Sequence, residues 1–239
     1  MSIKQSELIL NPDGSVYHLN LRPEHIAKNI IFVGDQDRVD EISKHFDTIE
    51  FTTQKREFKT TTGTYKNKQF SVISTGIGPD NIDIVLNELD ALVNIDLQTR
   101  KQKENLTTLN IVRIGTSGSL QVDVPVDSFL ISTYGLDLNG MLHAYQIDAI
   151  SNTDIEDAFV KHTNWSAKKS YPILIKNSKE LENKLKSNKT FRGITATAGG
   201  FYGPQGRVLR LALQDNDLNH KIDSFSFNEK RITTLLTVF

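Results

Sequence analysis

Short apolar runs that end in glycine alternate with amphipathic stretches along this chain, and this alternation restricts the fold more than any other feature. Residues 29–33 form an apolar run that stops at Gly34. Val39, Ile42 and Phe46 then recur at helical spacing among charged residues. Runs of strand length that alternate with helical periodicity are typical of an α/β fold. We therefore expect strands that alternate with helices.

The pattern continues over much of the chain. A stretch rich in threonine and aromatic residues over 56–75, interrupted by the polar residues 66–68, predicts two strands joined by a turn. Apolar residues recur at helical spacing over 82–93, after Pro79, and predict a long helix. Further strands are expected over 109–114, 126–132 and 191–198, and a further helix over 178–185. Most of 134–190 shows little pattern.

Composition excludes several classes of function. The chain has 28 Lys and Arg against 29 Asp and Glu, so it has no basic excess for a nucleic-acid backbone. It has no cysteine, which excludes disulfides, thiolate metal sites and a cysteine nucleophile. Its six histidines lack metal-ligand spacing, and no apolar run suits a signal peptide or a membrane span. We expect one cytoplasmic domain over residues 1–239, with no metal, cofactor, nucleic acid or membrane partner.

Two strand ends combine glycine with arginine. Gly34 follows the first strand, and Arg38 lies at the start of the next helix. In open α/β sheets ligands bind at this strand edge, where backbone N–H groups and a guanidinium suit a phosphate. The alternative is an ordinary strand-to-helix turn with a surface arginine.

The second strand end places Arg113 within the last residues of an apolar run. A charge there is expected to be partly buried, which is costly unless an anion or a carboxylate pairs with it. Gly115, Thr116, Ser117 and Gly118 follow and offer backbone N–H and hydroxyl donors to the same anion. A phosphate site and a structural ion pair are both consistent with this pattern.

A third segment combines aromatic, amide and guanidinium groups. Phe201 lies just before Gln205 and Arg207, after the last strong strand signal. Glutamine offers an acceptor and two donors, and arginine a rigid fork of donors, so the pair can bind a planar base beside an aromatic face. The alternative is a Gly-Pro turn with a solvent-exposed arginine.

Taken together, these segments resemble the nucleoside phosphorylase family, and the uridine phosphorylase branch in particular. The segments that carry the resemblance, in the order of the family, are Val33 to Arg38, Arg56 to Phe58, Thr62 to Tyr65, Ser74 to Gly78, Arg113 to Gly118 and Phe201 to Arg207. The resemblance implies a mixed β-sheet surrounded by helices. It also implies phosphorolysis of uridine to uracil and ribose 1-phosphate, without a metal.

The resemblance also assigns residue roles. Phosphate would be held by Gly34, Arg38, Arg56, Arg113 and Thr116. The nucleoside would be held by His18, Ser117, Gly118, Phe201, Gln205 and Arg207, and the groups assigned to catalysis are Arg113, Gln205 and Arg207. Because His18 and Arg56 serve a neighbouring subunit in the family, we expect a homodimer at least, or a hexamer of three dimers.

The chain departs from the family after Ile232. Relatives carry a Glu-Met-Glu motif there, whose second Glu binds ribose hydroxyls, and then a helix, a strand and a helix. This chain has residues 233–239 instead, so we expect little turnover and uncovered apolar side chains at Leu235, Leu236, Val238 and Phe239. Glu229 lies nearby but precedes the position of the motif, so we do not assign it the ribose-binding role. The alternatives are a subunit that only binds nucleoside or phosphate or only assembles, and a purine-type phosphorylase or hydrolase of the same fold.

Overall fold

The computed structural model describes residues 2–237, and the chain divides into two compact units. The N-terminal unit ends at Gly115 and the C-terminal unit begins at Thr116. Each unit has its own mixed sheet and its own hydrophobic core. The α/β class, with mixed sheets and helices, is confirmed. A single domain over residues 1–239 stays a prediction.

The N-terminal unit contains a five-stranded sheet in the order β2-β3-β4-β1-β7, and a separate two-stranded hairpin. Its strands are β1 (Asn29–Val33), β2 (Thr48–Lys55), β3 (Phe58–Tyr65), β4 (Lys68–Ser74), β5 (Ile95–Asp96), β6 (Lys101–Gln102) and β7 (Asn110–Arg113). Its helices are α1 (Gln36–Ser43) and α2 (Pro79–Asn94). Because β1 pairs in parallel with both β4 and β7, the carboxyl ends of these three strands meet at one edge.

The core of this unit forms between the sheet and one face of α2. Val85, Leu89 and Leu92 of α2 are buried, as the helical spacing predicts. They join a cluster that includes Ile30 of β1 and Ile73 of β4. This packing fixes α2 against the strands whose ends form the sheet edge.

The C-terminal unit contains a sheet in the order β10-β9-β11-β13-β12, and β8 also pairs with β13. Its strands are β8 (Gly118–Ser119), β9 (Phe129–Asp137), β10 (Ile173–Lys176), β11 (Thr190–Ala198), β12 (Ser226–Phe227) and β13 (Lys230–Thr237). Its helices are α3 (Thr153–Thr163), α4 (Lys179–Leu185) and α5 (Leu218–Asp223). Since β9, β11 and β13 run parallel, their carboxyl ends share one edge.

Several details differ from the sequence-based expectations. The strand expected over 126–132 begins at Phe129 and extends to Asp137, and the pattern-poor region contains α3 and β10. The sequence predicts an uncovered Leu235, but this side chain of β13 is buried in the core cluster of the C-terminal unit. Leu236 is half-buried, and Val238 and Phe239 lie outside the described residues.

Within residues 2–237 the helices are all too short or too polar to cross a lipid bilayer.

Candidate active site

Arg113 lies at the carboxyl edge of the N-terminal sheet, where the sequence predicts a phosphate site. It pairs in register with Phe32, one residue before the end of β1. Its side chain is half-buried, and burial lowers the pKa of its guanidinium. The positive charge of Arg38 lowers that pKa further, so the two guanidinium groups lie close enough to repel each other. An anion beside both groups would offset this repulsion.

The loop after β1 positions Arg38. Asp35 caps the N-terminus of α1, because its Oδ1 accepts a hydrogen bond of 2.9 Å from the backbone N–H of Arg38. The other oxygen of Asp35 lies 3.2 Å from the Arg38 guanidinium. The cap and the ion pair therefore hold Arg38 in the first turn of the helix that follows Gly34, as the sequence predicts.

Arg56 lies in the two-residue turn between β2 and β3, with a backbone φ of 55°. Its carbonyl oxygen accepts a hydrogen bond from Nε2 of Gln36, at the start of α1. The oxygen of the same Gln36 side chain accepts a 2.9 Å bond from Gln54. Gln36 therefore ties the turn of Arg56 to the helix that carries Arg38, within one chain. Service of a neighbour's phosphate by Arg56 stays a prediction.

His18 lies on the N-terminal segment of the same unit and contacts Glu88 of α2. The ring Nδ1 lies 2.6 Å from Oε1 of Glu88. Glu88 is not among the residues that the motifs or the family resemblance point to, although its position in the sequence carries a signal. A carboxylate on the face of α2 that also bears Val85, Leu89 and Leu92 is unusual, because such a group is rarely buried without partners.

The segment that is expected to bind the base, residues 201–207, follows β11 at the carboxyl edge of the C-terminal sheet and is called the base loop below. A single turn of 3-10 helix over Gly203–Gln205 ends at Gly206, which has a φ of 72°. A β-carbon on Gly206 would lie 3.0 Å from the backbone nitrogen of Asn219. This close approach and the positive φ both favour glycine at the end of the turn that carries Gln205.

The three residues expected to bind the base lie together in this turn. The guanidinium carbon of Arg207 lies 4.3 Å from the ring centroid of Phe201. Nε of Arg207 donates a 3.4 Å hydrogen bond to Oε1 of Gln205, whose side chain is buried. The aromatic face, the amide and the guanidinium are therefore preassembled on one loop.

Gly118 lies near this loop within the C-terminal unit. It pairs with Leu235 of β13, and a β-carbon on it would lie 3.7 Å from Nη2 of Arg207. Thr116 and Ser117 precede it and are exposed. A phosphate shared by Thr116 and Arg113 stays a prediction.

A buried carboxyl group that the sequence does not point to lies at the end of β9, paired with Thr197 near the end of β11. Asp137 ends β9, and the next residue, Leu138, donates a 3.0 Å backbone hydrogen bond to Thr197 of β11. Asp137 is buried, and burial raises the pKa of its carboxyl group. Backbone N–H groups of the loop that follows, including that of Asn139, offset only part of this effect.

Glu229 is remote from the base loop within the C-terminal unit. It lies in the turn between β12 and β13, before the first residue of β13. The base loop follows Ala198, which pairs with Thr237 at the other end of β13. An eight-residue strand spans roughly 25 Å, so Glu229 is a poor substitute for a ribose-binding carboxylate.

Comparison with known proteins identifies one family. The model of the phosphorylase superfamily matches residues 28–220. The crystal structure of a nucleoside phosphorylase from Trypanosoma brucei, described as showing uridine phosphorylase activity, superposes with a TM-score of 0.83. It is 28% identical in sequence, and the match covers 95% of this chain and 82% of that one.

Curated relatives include enzymes for both classes of base. Uridine phosphorylase from Thermococcus kodakarensis is 27% identical over 198 residues, which is 82% of this chain and 59% of the relative. A DeoD-type purine nucleoside phosphorylase from Listeria welshimeri is 33% identical over 116 residues, which is 48% of this chain and 44% of the relative. The chain therefore spans less than two thirds of the length of these two relatives.

Proposed function

Because the chain belongs to the phosphorylase superfamily, we propose that it catalyses phosphorolysis of uridine to uracil and ribose 1-phosphate. The observation that carries this proposal is the placement of two arginines at one edge of the sheet: Arg113 ends β7 in register with Phe32, and Arg38 lies in the first turn of α1 after Gly34. Two like charges held together at a sheet edge suit a dianion that binds both. Inorganic phosphate is such a dianion and is the second substrate of the reaction.

The residues of the base loop support uracil as the base of the nucleoside substrate. Gln205 and Arg207 offer an acceptor and several donors beside the Phe201 ring. This combination suits uracil, which has two carbonyl oxygens and an N–H between them. A purine site is expected instead to use an acidic side chain on a ring nitrogen.

The chemistry needs no covalent nucleophile and no metal. The bond from C1′ to N1 of the base breaks with its electron pair moving onto uracil, and the ribose becomes oxocarbenium-like. A phosphate oxygen then forms the new bond to C1′. The proton of hydrogen phosphate passes to the uracil anion, so the products are neutral uracil and the ribose 1-phosphate dianion. Arg113 fixes the phosphate, while Gln205 and Arg207 stabilise charge on the base, so catalysis comes from positioning and electrostatics.

The same proposal includes assembly and location. Homodimers, or hexamers of three dimers, would let Arg56 and His18 act at a neighbour's site. Both side chains are at least partly exposed on the N-terminal unit, which is consistent with that role. The expected cytoplasmic location belongs to the proposal as well.

Release of uracil from uridine by the purified chain, with and without phosphate, tests the proposal. We expect slow release, because the chain lacks the ribose-binding carboxylate of the family, and we expect it only with phosphate. This release should be lost in Arg113→Ala but not in Arg210→Ala, which replaces an exposed arginine. Release without phosphate would identify a hydrolase, and faster release of hypoxanthine from inosine would identify a purine-type enzyme. Calorimetric binding of uridine without any turnover would identify an impaired subunit that only binds.

A further inference from the structure

The contact between His18 and Glu88 is one part of a larger cluster. Oε1 of Glu88 accepts hydrogen bonds from the backbone N–H of His18 at 2.9 Å and from its ring Nδ1 at 2.6 Å. Oε2 accepts a 2.8 Å bond from the backbone N–H of Leu19. One buried carboxylate therefore binds the ring and the backbone of the same short segment.

These bonds determine which ring nitrogen carries the proton. Both oxygens of Glu88 already accept backbone N–H groups, so the carboxylate acts as an acceptor. The 2.6 Å contact then requires a proton on Nδ1 of His18. In the neutral ring Nε2 is consequently an acceptor, and it is the nitrogen that remains for another partner.

The surroundings of the ring restrict its orientation further. The Tyr17 ring lies edge-on at 4.9 Å between centroids, and the Phe58 ring at 6.5 Å. Lys55 binds the carbonyl oxygen of Tyr17 and lies 4.1 Å from the centroid of the Tyr17 ring. The His18 side chain is still 28% exposed, so the ring is held on one side and open on the other.

We propose that Glu88 is the positioning residue for His18, holding its ring so that Nε2 is presented to a sugar hydroxyl of the nucleoside. The inference rests on the proposed function for the identity of the ligand. The tautomer and the orientation of the ring rest on the contacts of Glu88 alone. Glu88 acts through His18 and does not itself touch the substrate.

Glu88→Gln separates positioning from simple packing. The amide keeps the size of the side chain but replaces one acceptor oxygen with an NH2 group. If that NH2 group faces Nδ1 of His18, the ring must move its proton to Nε2. If it faces Leu19, a buried backbone N–H loses its acceptor. Only the first orientation changes the ring. Glu88→Leu, which removes both acceptor oxygens and places an apolar side chain in the same position, is therefore measured beside Glu88→Gln.

The first measurement reads the tautomer without any turnover. Protein labelled with 15N-histidine is compared with Glu88→Gln, and the His18 signals are assigned by their loss in His18→Asn. In the neutral ring of the native chain we expect a protonated Nδ1 and a bare Nε2, and we expect loss of this single tautomer in Glu88→Leu, measured in the same way. Asp90→Asn, an exposed change on α2, and Leu89→Ala, a buried change that only weakens packing, should keep it. An unchanged tautomer in Glu88→Leu overturns the proposal.

The second measurement compares the KM for uridine with the KM for phosphate, because only the nucleoside carries the sugar that His18 is proposed to bind. We expect Glu88→Gln to raise the KM for uridine about tenfold, with the KM for phosphate unchanged. In the Glu88→Gln/His18→Ala double variant the loss should equal that of His18→Ala alone, because Glu88 acts through His18. Additive losses overturn the proposal. If the native chain shows a fixed tautomer but no phosphorolysis, the proposed function fails while the control of His18 by Glu88 stands.

Discussion

The guanidinium of Arg113 fills the space in which a β-carbon on Gly115 would lie. Such a β-carbon would be 2.9 Å from Cζ of Arg113, closer than real contacts allow. The obstacle is the end of a flexible side chain, so a larger residue at position 115 would displace the guanidinium and leave the backbone in place. Gly115 therefore acts as a spacer that lets Arg113 fold back at the sheet edge.

Gly115→Ala should weaken phosphate binding without unfolding the protein. A displaced guanidinium loses charge-assisted hydrogen bonds worth ~1.5 to 3 kcal/mol each, which raises the phosphate KM by about one to two decades. The check is steady-state kinetics with each substrate varied in turn, together with a melting curve. Gly135→Ala is the matched control, because its β-carbon would meet nothing within 4 Å. An unchanged phosphate KM in Gly115→Ala contradicts this role for the glycine.

Phosphate should stabilise the native chain more than it stabilises Arg113→Ala. A dianion offsets the repulsion between Arg38 and Arg113 and binds only the folded state. At a phosphate concentration of 100 times the Kd the gain is about 2.7 kcal/mol. Differential scanning calorimetry with added phosphate measures the rise in Tm, and equal concentrations of chloride control for ionic strength. Equal rises in both proteins would remove Arg113 from the phosphate site.

The sequence predicts some parts of this site well because their signals are local. A strand that ends in glycine before an amphipathic helix gave Gly34 and Arg38, and an arginine at a strand end gave Arg113. The parallel pairing of β1 with β7 then brings these residues to one edge. The resemblance to the nucleoside phosphorylase family is confirmed by the match over residues 28–220.

Other parts depend on contacts that no local pattern records. Glu88 and His18 lie 70 residues apart, so only the packing of α2 against the N-terminal segment joins them. The same holds for Gln36, which meets Arg56 across 20 residues. Part of region 134–190 shows little helical pattern because the buried face of α3 carries the acidic residue Glu156. Its carboxylate is satisfied by the backbone N–H groups of Asn152 and Leu174, which are contacts that the sequence does not record.

Arg207→Ala should weaken uridine binding and leave phosphate binding intact. The change removes the guanidinium that stacks on Phe201 and orients Gln205, so the amide loses a donor that fixes its position. We expect the uridine Kd to rise by about one decade, with inosine and adenosine binding poorly throughout. Isothermal calorimetry measures this, and Arg210→Ala is the control on the same loop. Purine nucleosides bound as tightly as uridine would favour the purine-type alternative.

Asp137→Asn should stabilise the protein near neutral pH. Burial raises the folded-state pKa of this carboxyl above its ordinary value of 3.8, so the folded state binds the proton more tightly than the unfolded state. The contribution of Asp137 to stability therefore falls as the pH rises from 3.8 through the raised pKa. The gain from asparagine should be largest at pH ~7 and vanish towards pH ~4, and 1 kcal/mol corresponds to roughly 2 to 4 °C in Tm.

Asp148→Asn, an exposed change in the same unit, should show no such dependence. A gain that does not change with pH would rule out the buried charge as its cause.

Hybrid oligomers should recover activity if Arg56 serves a neighbouring subunit. Arg56→Ala chains keep Arg113, and Arg113→Ala chains keep Arg56, so a mixed dimer contains one site with both arginines. Where the native chain turns over uridine, each mixed dimer should regain about half of the native activity, because one of its two sites is intact. Random reassociation of equal amounts makes about half of the dimers mixed, so the whole sample should regain about a quarter of the native activity. Mixing Arg38→Ala with Arg113→Ala is the matched control, and we expect less recovery if both arginines must come from one chain.

The structure already ties the turn of Arg56 to Gln36 of its own chain. The experiment therefore decides whether Arg56 acts at the site of its own subunit or at the site of a neighbouring subunit. A strictly monomeric chain in solution scattering, or no recovery from an active native chain, would mean that Arg56 acts within its own subunit or not at all.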